Sequence, residues 1–476
     1  MKQTKLRTNK IDVNNNISFP IGTIKTVQKY YKKLYFSDIF TKYKKKGRNF
    51  NRLIEALVAY KLAENLSISK ASDWINRKDV LEEFSLNSFE ERTLFRVLEI
   101  LGKNREEIIA DIQDILFDTY DFEHTDINMD WSSLILWGTK SKLGKYGYSR
   151  DHRPDKKQIT IGLSELANPI NIPIGLTINP GNINDQKHFA DTYNQTKKHA
   201  KIGSLYTFDK GANGKDNLNM ILRDKMKYLT AKKLNKSDDK LIKAFDKSKA
   251  ELVNTKDGIY GIKRKFPNRY NFFYFSEKLQ KENIASALRK AERKLKEAQE
   301  IQNAAKKGKS LPKRFRVNNI LVDVIIEYQT KLNELSETEA FELVKKASIT
   351  GREGFFCLTS SENLTLEQAL ETYRKKDSIE KIFYSLKNEI VIKPLRVWST
   401  NNIYGALILG FIAQLFISLI KYDYKKLKKT SSKFIKISLS NLTVTIENRK
   451  NGSKRRIYSN FDPINSLICL QNQTIT

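Results

Sequence analysis

Three acids have the type and position that phosphoryl-transfer chemistry requires. Asp130 falls inside an apolar run, Asn128-Met129-Asp130-Trp131, that reads as a strand. Asp209 closes a second run, Leu205-Tyr206-Thr207-Phe208, and precedes Lys210-Gly211-Ala212-Asn213-Gly214, a turn that exposes it. Glu380 stands in a helical stretch. A carboxylate within or at the end of a buried strand is costly unless it is paired or binds a metal. Hard oxygen donors around two divalent cations ~4 Å apart are what metal-assisted phosphoryl transfer needs. Taken singly, an acid of this kind is more often a cap or an ion-pair residue; three in one α/β domain of a strongly basic chain shift the balance toward metal binding.

The strongest local pattern surrounds Glu380. Tyr373, Lys376, Glu380 and Lys387 follow one another at intervals of 3, 4 and 7 residues, so an unbroken helix sets all four on one face. A carboxylate flanked by a phenol and two ammonium groups suits a metal with phosphates beside it. An amphipathic helix with ordinary salt bridges gives the same pattern.

Other groups with potential chemistry carry less. His124, His152, His188 and His199 lack the close pair expected of zinc ligands. His152, within Arg150-Asp151-His152-Arg153, is expected to touch a DNA backbone or serve the fold. There is no GxxxxGK loop, so no nucleotide cofactor is expected. Cys357 and Cys469 are the only cysteines and lie far apart, which excludes a disulfide framework and a thiolate metal cluster and fits a reducing, cytoplasmic setting.

The elements that must position these residues follow from periodicity and composition. Lys and Arg total 86 against 54 acids in 476 residues, a formal charge of +32. A surplus of that size points to a polyanion, since each cation set against a phosphate releases counterions; a solubility surface is the alternative. Residues 1–25 read as a polar arm without the apolar core of a signal peptide. Apolar residues at spacings of 3 and 4 predict helices over about 26–118, with the basic tract Lys42 to Arg48 as a loop that could meet phosphate. Strands are expected at 126–136, 158–163, 170–178 and 205–209, and mixed with helices they imply an α/β sheet. Residues 231–348 read as an insertion, with an aromatic strand at 268–275, a charged helix at about 277–307, a basic loop and a β-rich stretch near 317–330. A strand at 354–359 is expected to return to the style of the first sheet's strands, followed by a helix over 365–389. Ala406 to Ile420, fifteen apolar residues, makes about 22 Å of helix, short of the ~30 Å of a bilayer core, so a buried helix and no membrane are expected. A β-like pair is expected around Lys450 to Arg456.

The Glu380 helix resembles the Y-(2)-R-(3)-E-(6)-K signature of DDE insertion-sequence transposases, the YREK group of the IS-four superfamily. Further blocks agree in order: GYSRDHRPDKKQITIGL with INIPIGLTINPGNINDQKHF and its Pro180-Gly181-Asn182…Asp185 turn, LYTFDKGANGKDNL, and IEKIFYSLKNEIVIKPLRVW. The resemblance covers about 124–421. It implies a ribonuclease H-like mixed sheet with flanking helices, interrupted by the β-rich insertion domain and preceded by a helical N-terminal DNA-binding domain. The expected layout is 1–120 for that N-terminal domain, 121–230 with 349–425 for the catalytic domain, 231–348 for the insertion, and 426–476 for a tail with dimer contacts. Asp130, Asp209 and Glu380 would bind two Mg²⁺ ions, or Mn²⁺, and Tyr373, Lys376 and Lys387 would contact transposon-end phosphates. Asp126 competes with Asp130, but the family block sets its acid just before a small hydroxyl pair, here Ser132-Ser133. The implied activity is binding of terminal inverted repeats, cleavage of DNA at the ends and joining of 3′-OH ends to target DNA, by a homodimer on DNA in the nucleoid of a prokaryotic-type cell. The rival readings are an inactive or domesticated DNA-binding protein and a non-transposing ribonuclease H-like nuclease.

Three departures qualify the resemblance. The signature Arg is Lys376, which keeps the charge but loses bidentate phosphate geometry. Some relatives stack a flipped base on a Trp in the insertion, where this chain has none; Tyr270, Phe272, Phe273 or Tyr274 could substitute or form a packed strand face. Gly405 lies where relatives often carry a His.

Overall fold

The computed structural model describes residues 17–44, 47, 49–64, 67–122, 124–138, 141–167, 171–307, 338, 348–390, 397, 399–448 and 453–469. The chain opens with β1 (Ile17–Pro20) and runs through α1 (Gly22–Lys33), α2 (Phe36–Thr41), α3 (Phe50–Ala63), α4 (Ile68–Ile75), α5 (Lys78–Phe84), α6 (Arg92–Lys103) and α7 (Arg105–Thr119). Then come β2 (Ile127–Ile135), β3 (Gln158–Leu166), β4 (Ile172–Pro180), α8 (Asp185–Thr196), β5 (Leu205–Phe208), α9 (Lys215–Arg223) and β6 (Lys227–Lys232). A second stretch holds α10 (Asp239–Lys243), β7 (Glu251–Asn254), β8 (Ile259–Phe266), β9 (Arg269–Ser276), α11 (Glu277–Lys306) and β10 (Phe355–Ser360). Last are α12 (Leu366–Lys375), α13 (Asp377–Tyr384), α14 (Thr400–Asp423), α15 (Ser432–Asn441), β11 (Thr443–Asn448), β12 (Lys454–Ser459) and α16 (Pro463–Cys469). The chain divides into two compact units, one reaching to Tyr228 and resuming at Arg374, the other spanning Leu229–Tyr373.

The first unit is built on strands in the order β4-β3-β2-β5. β2 pairs antiparallel with β3 and parallel with β5, and β3 pairs antiparallel with β4. Every residue of β3 and nearly every residue of β2 is buried, as expected of strands covered on both faces. α14 packs against α3, α6 and β4. Phe416 sets its ring 5.8 Å from Tyr30 and 5.5 Å from Phe36, so the N-terminal helices share one core with α14 instead of forming a separate domain. α14 spans 24 residues, about 36 Å, so the expectation of a segment too short for a bilayer was wrong on length. Its most apolar stretch is nonetheless 94% buried within the protein. At Gly405, α14 passes so close to α6 that a Cβ would lie 2.2 Å from the Leu98 carbonyl oxygen. Close helix approach therefore accounts for Gly at this position. The tail also belongs to this unit: β11 pairs with both β1 and β12. Residues 449–452 of the expected β-like pair lie outside the described residues.

The second unit carries strands in the order β6-β10-β9-β8-β7, antiparallel where they pair. β10 pairs with β6 on one side and, from Phe355↔Phe275 to Ser360↔Tyr270, with β9 on the other. The unit extends to Tyr373. The reason is apolar: Tyr274 stacks on Phe356 at 4.9 Å, and Phe245, Phe275 and Phe355 cluster at 4.9 to 5.5 Å. Phe272, Phe273 and Tyr274 are buried in this packing, which occupies the aromatic face considered above for base stacking. The expected loop and strands between 308 and 330 lie outside the described residues.

Candidate active site

Asp130 sits mid-way along β2, and the parallel pairing of β2 with β5 matches Ile127 to Tyr206 and Asn128 to Thr207. Continuing that register by two residues sets Asp209 abreast of Asp130, and the two-residue period of a strand turns both acids to one face. Glu380 arrives from α13, which packs on β2 and β3. The three acids therefore come from three distant segments to one side of the sheet.

Lys376 is what ties them together. Its side chain is only 3% exposed, and its ammonium lies 3.5 Å from Asp209 Oδ1 and 3.7 Å from Glu380 Oε1. Burial alone would lower its pKa, but the charges of Asp130, Asp209 and Glu380 hold it above the ordinary lysine value. Asp130 is buried, and burial pushes its pKa up to about 6 against the pull of Lys376 and Arg150. Its Oδ1 is buried without a hydrogen-bond partner and lies 3.8 Å from Arg150 Nη1. Arg150 in turn donates to Asp185 Oδ2 at 2.8 Å, and its backbone N–H donates to Ser133 Oγ at 2.9 Å. Asp185 is raised by burial, and the charge of Asp209 adds to that. Four carboxylates thus face two cations.

The unbroken helix expected over 365–389 is not what forms. Lys376 occupies a turn between α12 and α13, where the Ile379 N–H bonds the Lys376 carbonyl, a tightened three-residue step. Beyond α13 the chain widens into a π turn at Ser385–Glu389, closed by the Ile390 N–H on the Ser385 carbonyl. One turn narrows and the next widens, so no single 3.6-residue face runs through all four signature residues. Lys376 is directed inward at the acids. Lys387, on the π turn, donates to Ser132 Oγ at 2.7 Å and lies 4.0 Å from Asp151. Tyr373 is half-buried on α12.

Asp126 is accounted for otherwise: its Oδ1 accepts the Leu205 N–H at 2.8 Å and so fastens β5 beside β2. His188 is a core residue bonded to Thr177 Oγ1 at 2.9 Å, its pKa pushed down to about 4 by burial. His199 stacks on Phe117 at 4.7 Å. Within the basic loop, Lys42 pairs with Asp111 at 3.2 Å, whereas Lys45, Lys46 and Arg48 lie outside the described residues.

Sequence reading missed the group beneath the acids. Glu165 on β3 lies opposite Asn128 in the register and is wholly buried. It accepts from Asn128 Nδ2 at 2.9 Å and from the Ser378 hydroxyl, two residues before Glu380. Burial pushes its pKa up to about 8, so at neutral pH it holds a proton and adds no charge to the acids above. An acid within QITIGLSEL, a strand whose other residues are apolar or uncharged, was the available signal.

The Transposase DDE domain family matches residues 121–416, enclosing all three acids and the second unit. This chain belongs to that transposase family. It is also similar to a piggyBac transposase solved by cryo-EM as a synaptic complex with hairpin DNA, at 11% identity over 89% of this chain and 80% of that one, with a TM-score of 0.42. No curated protein matches the sequence.

DDE chemistry implies a divalent cation, and the donor set fits one in kind. The acids are hard oxygen donors, Asp130 Oδ1 is buried and unbonded, and carboxylates outnumber cations. Among the described residues, however, no three His, Cys, Asp or Glu side chains stand close enough together to hold an ion as they are. The Lys376 ammonium supplies the positive charge between Asp209 and Glu380.

Proposed function

We propose that this transposase-family chain cuts DNA at the ends of its own element and joins the 3′-OH ends to target DNA, with Asp130, Asp209 and Glu380 as the catalytic acids on a ribonuclease H-like core of the YREK group. The observation that carries the reading is the convergence of these three acids around the buried Lys376, inside the matched domain. Divalent cations, two Mg²⁺ ions or Mn²⁺ held by the three acids, would supply Lewis-acid stabilisation of the attacking and leaving oxygens. In cleavage a water oxygen attacks phosphorus and the bond to the 3′ oxygen breaks, freeing a 3′-OH. In joining that 3′-OH attacks a target phosphodiester and the target's own P–O bond breaks, so bonds made and broken balance.

The chain's own groups prepare this reaction. Arg150 bridges Asp130 and Asp185 and limits their repulsion. The Glu165–Ser378 bond fixes the start of α13 and therefore where Glu380 stands. Tyr373, Lys376 and Lys387 are assigned to the end phosphates; for Lys376 that role requires its ammonium to leave the carboxylates it now neutralises. DNA is the partner, engaged by a homodimer, in the cytoplasm and without a nucleotide cofactor. Incubating the protein with element-end DNA, a target plasmid and Mg²⁺ should give joined products. Cutting without joining would favour a plain nuclease.

A further inference from the structure

Between β2 and β3 the chain makes a long excursion that presents aromatic rings to solvent. Tyr146 is 61% exposed and Tyr148, at 83%, is the most exposed large hydrophobic side chain among the described residues. Trp137 at the head of the same loop is also exposed, with Lys156 Nζ 5.3 Å from its ring centre. Apolar rings left in water without a packing partner mark recognition surfaces when they cluster.

The loop that carries them is pinned. Lys145 and Gln158 exchange backbone hydrogen bonds at 3.1 and 2.9 Å, and the Gly181 N–H donates to the Leu143 carbonyl at 3.2 Å. Gly147, between the two tyrosines, lies so close to the Pro180-Gly181 turn that a Cβ would sit 2.0 Å from the Gly181 carbonyl oxygen. Arg150, two residues after Tyr148, bonds Ser133 through its backbone and reaches Asp130 at 3.8 Å. The rings are thus held on pinned backbone, and Arg150 of the same segment reaches Asp130. Exposed Lys142 and Lys145 precede them on the same segment.

We propose that Tyr146 and Tyr148 form a stacking platform for unpaired nucleobases of a DNA strand whose phosphate lies at Asp130. Bases in a duplex hide their faces against one another, whereas unpaired ones offer a π-face to any aromatic ring. Neighbouring lysines meet the phosphates of that strand, and the pinned backbone means that little ordering is lost on binding. The inference rests on the transposase reading for its location beside the acids. It does not rest on that reading for its test, which needs neither metal nor cutting.

The test uses the full chain in EDTA with a short single-stranded DNA containing 2-aminopurine, whose fluorescence is quenched on stacking, and a duplex of the same length. The double variant Tyr146→Ala/Tyr148→Ala, which removes two stacking rings, should bind the single strand at least roughly 30-fold more weakly, lose the quench and keep its duplex affinity. Tyr146→Phe/Tyr148→Phe should retain both binding and quench. Both side chains are exposed, so an unchanged melting curve is expected for either variant. Wild-type single-strand affinity in the alanine variant, or equal loss on strand and duplex, would overturn the proposal. Failure to cut in a separate Mg²⁺ assay would count against the transposase reading alone.

Discussion

Replacing Glu165 by Gln isolates one buried ionisation. The carboxyl loses its proton at about pH 8 in the fold against an ordinary value of 4.5. A group that holds its proton more tightly when folded contributes stability that is fully present below pH 4.5 and is lost as pH rises to 8. Each tenfold change in proton affinity corresponds to about 1.4 kcal/mol, so the wild type should lose about 5 kcal/mol across that window. The Gln amide is neutral at every pH, and its oxygen can accept the same bonds from Asn128 and Ser378. The variant should match the wild type near pH 4 and exceed it progressively toward about pH 9. Urea unfolding of both proteins at several pH values measures this difference. Asp130, raised from 3.8 to about 6, drives a loss of the same sign, but it is present in both proteins and cancels. A stability difference that stays constant from acid to alkaline pH would refute the reasoning, because Glu165 would then not be the group that ionises.

Three further outcomes follow. Lys376→Ala strips Asp209 and Glu380 of their shared cation and should cost about 1 to 3 kcal/mol without divalent ions; Mg²⁺ should raise its melting temperature more than the wild type's, and equal shifts would count against the carboxylate cluster. Gly405→Ala puts a Cβ 2.2 Å from the Leu98 carbonyl oxygen and should cost about 1 to 3 kcal/mol by overpacking, with thermal unfolding as the check. Lys387→Ala removes the ammonium bonded to Ser132; it should weaken end binding and reduce the salt slope by about 1, read by anisotropy over a salt series.

Local pattern made the strands legible, because period and apolar content are local properties. The expected 126–136, 158–163, 170–178 and 205–209 became β2, β3, β4 and β5 with shifts of a few residues. The acids stood out because a charge inside an apolar run is unusual. Long-range pairing was not legible: nothing local says that Asn128 faces Glu165, or that β10 zips onto β9. The break at Lys376 escaped detection because most residues of 365–389 favour helix and Asp377-Ser378 is a weak signal alone, while the tightened turn serves a side chain whose partners lie on distant strands. The helical N-terminal region looked like a separate domain because the packing of Tyr30 and Phe36 on Phe416 bridges nearly the whole chain.

Cleavage of a labelled linear DNA carrying the element's end, by wild type and Asp209→Ala, with Mg²⁺ or with EDTA, tests the central claim most directly. Asp209 is 44% exposed, so its loss should leave the fold intact. The account predicts cutting at the end by the wild type in Mg²⁺ only, and none by Asp209→Ala, which should still bind the DNA. Cutting by the variant at the wild-type rate, or cutting in EDTA, would contradict it.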